Sequence, residues 1–165
     1  MIRGIHHVAI NTANLERIVD FYVNVLGCER VRDDPGPGWR DNPVIDAVIG
    51  LRGSAARGTM LRAGNVHIEV FEYSAPAARD GGPLRPCDRG YTHIALDVVD
   101  IEAEYARLKA AGMAFVHDGP VDLGNLKAVY GSDPDGNIIE ILETAPGHEF
   151  SIARLPGFAA DPSRT

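Results

Sequence analysis

The sequence predicts an α+β domain built from one module written twice: a strand, a helix and about three further strands. Three observations carry this reading. "HHVAI" at 6–10 reappears as "THIAL" at 92–96. Each copy leads through a capping residue into an amphipathic helix, whose first apolar stripe residue, Leu15 or Ile101, stands eight positions after His7 or His93. Each copy then closes on a matching apolar strand, "GNVHIEVFE" at 64–72 and "GNIIEILE" at 136–143, aligned on Glu69 and Glu140.

Taken in order, the first strand is followed by a helix from near Asn14 to Gly27, with Leu15, Ile18, Tyr22 and Val25 on one stripe. The stretch 33–43, "DDPGPGWRDNP", reads as a loop. "VIDAVIGL" after it fits a strand or a short helical turn equally well. The second helix spans about Asp100 to Gly112, with Ile101, Tyr105 and Leu108 facing one way. "SDPDG" between "LKAVYG" and "NIIEILE" signals a hairpin. These boundaries divide a single domain, 1–165, into module 1 (about 3–74), a Pro/Gly-rich linker (75–89), module 2 (about 90–144) and a tail (145–165) without clear periodicity.

The chain has 165 residues, a net charge of −7 and 45% hydrophobic residues, which suits a soluble globular protein able to bury its own core. The acidic balance argues against nucleic acid or an acidic membrane surface as partner, since both call for a basic footprint. No apolar run is long enough to span a bilayer, and "MIRGIHHVAI" reads as a first strand rather than a signal peptide. Cys28 and Cys87 lack metal-like or framework spacing and read as reduced thiols, so a cytoplasmic location is expected.

Two glutamates stand between branched apolar residues, where an unpaired carboxylate is costly. Strand alternation puts His7 on the face of its strand opposite Val8 and Ile10, and His93 opposite Ile94 and Leu96. It likewise puts Glu69 opposite Ile68 and Val70, and Glu140 opposite Ile139 and Ile141. Taken singly, each is a satisfied core histidine or a solvated glutamate. Taken together, at matched places in two copies, two imidazoles and two carboxylates make a donor set for one divalent metal per chain, among Mn, Fe, Co, Ni and Zn. Four such ligands on an octahedral ion leave two adjacent positions for substrate oxygens.

His6 matches Thr92 in the repeat, and alternation turns its side chain away from His7, so its substitution is expected to change little. His67, Phe71, Tyr91 and Leu142 are candidates for the substrate pocket. Glu72 and Glu143 align with each other and read as solvated strand ends. Trp39 and Arg40 read as a lid or as surface cover, and Arg62, Arg89 and Lys127 as candidate contacts for an anionic group or as solvated charges.

The stretches "IHHVAINTANLERIVDFYVNVLG", "VHIEVFE", "GYTHIALDVVDIEAEYARLKAAG" and "DPDGNIIEILE" resemble the vicinal oxygen chelate superfamily, which includes glyoxalase I, methylmalonyl-CoA epimerase, extradiol dioxygenases and bleomycin or fosfomycin resistance proteins. The resemblance covers most of residues 3–144 but neither the 33–44 loop nor the tail. It implies paired βαβββ modules in a half-open mixed barrel around a metal cleft, with His7, Glu69, His93 and Glu140 at the four ligand positions, and it implies a homodimer. The expected activity is that of a metal-dependent lyase or isomerase, closest in look to acyl-CoA epimerases and glyoxalase I. Such an enzyme moves a proton next to a chelated carbonyl of a small molecule with adjacent oxygens, with Glu140 and Glu69 as candidate bases. The alternatives are a ring-cleaving Fe(II) dioxygenase, a non-catalytic bleomycin-resistance-type binding protein and a fosfomycin-type transferase. Dioxygenases use two histidines and one carboxylate and fosfomycin-type enzymes three protein ligands, so Glu69 counts against both; the complete ligand set counts against the binding protein.

Overall fold

The computed structural model describes residues 1–32, 36–79 and 81–155. The chain divides into two compact units, Met1–Gly81 and Gly82–Thr165. Each holds one open, mixed five-stranded sheet and a principal helix, which is the expected α+β, two-module class.

In the first unit, β1 (His7–Asn11) leads through Thr12 and Asn14 to α1 (Leu15–Asp20). The Asn14 side chain accepts from the Arg17 N–H, and Leu15, Ile18 and Val19 are buried. The single helix expected to Gly27 instead passes into a π-helical turn, Phe21–Val25, closed by the Leu26 N–H on the Phe21 carbonyl. The consecutive rings of Phe21 and Tyr22 on this turn are both buried. Next come β2 (Glu29–Arg30) and β3 (Trp39–Arg40). The stretch 33–43 is therefore not all loop, and its residues 33–35 lie outside the described residues. The ambiguous segment is a helix, α2 (Pro43–Ile49). Asn42 accepts from the Val44 and Ile45 N–H groups, Pro43 opens the first turn, and Gly50 ends it at φ +70°.

β4 (Ala55–Ala63) and β5 (Val66–Ala75) form an antiparallel hairpin around Gly64–Asn65, and β5 also pairs in parallel with β1. Sheet order is β1-β5-β4-β2, with β3 also on β4. Ile68 and Val70 point to the buried side with α1; His67, Glu69 and Phe71 point to the other.

The second unit repeats this plan. β6 (His93–Asp97) leads to α3 (Ile101–Ala110), which buries Ile101 and Leu108. β7 (Ala114–Phe115), β8 (Val121–Asp122), β9 (Leu126–Ser132) and β10 (Ile138–Thr144) follow, with order β6-β10-β9-β7 and β8 also on β9. β10 pairs in parallel with β6 and antiparallel with β9 through the 133–137 turn, as the hairpin signal predicts. Asp133 holds that turn by accepting from the Asp135 and Asn137 N–H groups. Among the described tail residues only Ile152–Arg154 form a helical turn; residues 156–165 lie outside the described residues. Among the described residues, no helix is long and apolar enough to cross a membrane.

Candidate metal centre

The parallel pairings put a histidine and a glutamate together in the same way in each unit. In the first, His7 is in register with His67 and Ala9 with Glu69. In the second, His93 is in register with Ile138 and Ala95 with Glu140. The glutamate thus sits beside the residue two positions past the histidine on the neighbouring strand, on the same face. The polar tips meet: His7 Nε2 lies 3.2 Å from Glu69 Oε2, and His93 Nε2 lies 3.3 Å from Glu140 Oε2. The Glu140 side chain is 17% exposed and that of Glu69 27%. Among the described residues no group of three or more His, Cys, Asp or Glu side chains is gathered as a metal site; each unit presents one imidazole–carboxylate pair.

The far nitrogen of each ring is also engaged. His7 Nδ1 lies 2.9 Å from His6 Nδ1, and His93 Nδ1 lies 3.1 Å from Thr92 Oγ1. His6 therefore does not turn away from His7 as alternation predicted. β1 begins only at His7, so the period-two rule does not reach His6. The His6 ring also rests 5.4 Å from that of His67.

Two tyrosines absent from the sequence-based candidates feel the charge of the carboxylates. Tyr130 is the cross-strand partner of Glu140, and its ring lies 5.0 Å from His93. Burial, with the nearby Glu140 charge, raises its hydroxyl above the ordinary tyrosine range. Burial and the Glu69 charge do the same for Tyr73. Both rings stay neutral near pH 7 and keep an O–H to donate. Phe71 and Tyr73 join Trp39 in a cluster with centroids 5.6–5.7 Å apart, and Trp39 donates its indole N–H to Ser54 Oγ at 2.8 Å. Gly58 accommodates the cluster: a Cβ there would stand 2.7 Å from Phe71 Cδ1. Trp39 is thus fixed by packing and a hydrogen bond. Of the other pocket candidates, His67 and Leu142 are half-buried and Tyr91 is fully exposed. Arg62 pairs with Glu29 and Lys127 with Glu102, so neither is a free cation.

Glu72 and Glu143 are not idle strand ends. Glu72 accepts from the Leu15 N–H at 2.7 Å, and Glu143 accepts from the Asp100 and Ile101 N–H groups at 3.0 and 3.1 Å. Each carboxylate satisfies the positive start of its unit's principal helix. Each strand β5 and β10 thus carries one glutamate toward the histidine and another, three residues on, toward the helix.

Residues 4–141 match the model of the Glyoxalase/Bleomycin resistance protein/Dioxygenase superfamily. The chain belongs to this family. It is 32% identical over 159 residues, 89% of this chain and 82% of the relative, to 2-epi-5-epi-valiolone epimerase from Actinomyces sp.. It is 26% identical to lactoylglutathione lyase from Haemophilus influenzae, over 83% of this chain and 90% of the relative. Among solved structures, a glyoxalase family protein from Bacillus cereus superposes with a TM-score of 0.73 at 18% identity, covering 88% of this chain and 96% of that one. Another from Enterococcus faecalis does so with a TM-score of 0.61 at 29% identity, covering 86% and 98%.

Proposed function

We propose that the chain is a divalent-metal-dependent isomerase or lyase, on the epimerase side of its family, that moves a proton at a carbon next to a carbonyl. The observation that carries this reading is the duplicated pair: one imidazole Nε2 against one carboxylate, 3.2 and 3.3 Å apart, in the same register in both units. Two neutral nitrogens and two anionic oxygens fit Mn, Fe, Co, Ni or Zn, and carboxylates that share a metal's charge no longer carry an uncompensated burial cost. His7 and Glu69 of the first unit, and His93 and Glu140 of the second, are the candidate ligands. A divalent ion bound there would supply positive charge to a substrate oxygen on which negative charge develops.

Glu140 and Glu69 serve as the proton carriers. Inversion needs one carboxylate to take the proton from one face of the carbon beside the carbonyl and the other, as its carboxylic acid, to deliver a proton to the opposite face. A positioned base of this kind contributes about 10²–10⁴-fold, roughly 3–6 kcal/mol of barrier. Tyr130 stands beside Glu140 with its hydroxyl protonated. The substrate is a small molecule with adjacent oxygens: a 2-substituted acyl thioester, a hemithioacetal or, following the epimerase relative at 32% identity, a hydroxylated cyclic ketone.

Proton NMR in heavy water with one substrate of each class tests the reading. Metal-loaded protein is expected to exchange the hydrogen beside the carbonyl of at least one substrate, and Glu140→Gln to lose most of that exchange while keeping its circular dichroism. Oxygen uptake with ring opening of a catechol, and no exchange with any substrate, would replace this reading with the dioxygenase.

A further inference from the structure

The residue immediately before each candidate ligand histidine touches that histidine's far nitrogen. His6 Nδ1 lies 2.9 Å from His7 Nδ1, and Thr92 Oγ1 lies 3.1 Å from His93 Nδ1. The two residues differ in chemistry but occupy the same place in the repeat. In both units the contact arises because the strand starts at the histidine itself, so the preceding side chain escapes alternation. A glycine three residues ahead of each histidine, Gly4 at φ +156° and Gly90 at φ +140°, takes a backbone conformation that side-chain-bearing residues rarely adopt. In the first unit the His67 ring rests against His6 from the neighbouring strand.

An imidazole can offer an Nε2 lone pair to a metal only if its proton is on Nδ1, and that N–H then needs an acceptor. We propose that His6 and Thr92 are positioning residues that supply this acceptor: His7 Nδ1–H donates to His6 Nδ1, and His93 Nδ1–H donates to Thr92 Oγ1. This rests on the metal-dependent reading above. Each acceptor fixes the tautomer and the ring orientation that aim Nε2 at the glutamate side. His6 meets the demand only as a neutral ring protonated on Nε2, whereas the threonine hydroxyl accepts while its own proton turns elsewhere. The two halves of the donor set are thus tied by different chemistry, an imidazole in one and a hydroxyl in the other.

The test measures zinc affinity of the full-length protein by chelator competition, beside nitrogen-15 NMR of the histidine rings in the zinc-loaded protein. Thr92→Val keeps the shape and removes the acceptor; Thr92→Ser restores it. His6→Ala and His6→Asn form the corresponding pair. Thr92→Val and His6→Ala are each expected to weaken zinc binding about 10–100-fold, with affinity largely recovered in Thr92→Ser and His6→Asn. A slowly exchanging His93 Nδ1–H signal is expected in the wild type and is expected to be lost in Thr92→Val. Equal zinc affinity in wild type and in both acceptor-less variants overturns the positioning role while leaving the metal reading intact. A wild type that binds no zinc, manganese, cobalt or nickel removes both.

Discussion

Surroundings rather than chemical type separate the two thiols. Cys28 is buried at 6% exposure, and burial pushes its pKa up to about 11, while Cys87 is exposed. At pH 8 a thiol of pKa 11 holds on the order of a hundred-fold less thiolate than one near the ordinary 8.5. Iodoacetamide at pH 8 is therefore expected to label Cys87 alone in the folded protein and both cysteines after denaturation, as read by peptide mass spectrometry. His6 marks where residue-level reading stops. Alternation applied to residues outside the strand turns its ring the wrong way, and only the observed strand start brings it to His7. Tyr130 stayed hidden for a related reason. Its place opposite Glu140 depends on how the 133–137 turn sets the register, and the turn residues do not specify that register alone.

At the scale of elements, the two helix starts share one device. Glu72 receives the Leu15 N–H and two hydrogen bonds from Arg57, which also bridges to Glu16. Arg57, and then the Leu15 N–H, hold the Glu72 carboxyl below the ordinary carboxylate range. A carboxyl lowered on folding adds stability above its unfolded value and loses it as pH falls through its folded one. Glu72→Ala is thus expected to cost about 1–2 kcal/mol at pH 7, with the gap to wild type narrowing toward pH 3. Urea unfolding at both pH values checks this. The fold class was legible because the repeat preserves both the helix stripe and the final strand, so Leu15 and Ile101 locate the helices, and Ile68, Val70, Ile139 and Ile141 locate their sheet partners. The same alternation put His7 with Glu69 and His93 with Glu140 on shared faces, and the structure sets each pair within 3.3 Å. The capping roles of Glu72 and Glu143 were not legible. They require knowing that β5 and β10 run parallel beside β1 and β6, which delivers each strand's far end to the helix start. The π-helical turn after Asp20 also left no separate mark in the apolar spacing.

For the molecule as a whole, the proposed donor set makes metal content and assembly measurable together. Native mass spectrometry of metal-reconstituted protein is expected to give a homodimer carrying one divalent ion per chain, emptied by a chelator, with His93→Ala holding markedly less metal. Monomer at micromolar concentration, or equal metal in both proteins, would contradict this. The three-residue interval between Glu69 and Glu72, and again between Glu140 and Glu143, also bears on how such chains diverge. An odd interval on a strand sends its two ends to opposite faces; an even one sends them to the same face. Deleting Phe71 alone would turn both carboxylates to one side, so either the histidine or the helix start would lose its partner. Deleting two residues would restore the sides but draw the second glutamate about 7 Å along the strand, away from the N–H it receives. Length changes among related chains are therefore expected in the 33–44 and 75–89 segments, while the two intervals keep their count and vary only by substitution.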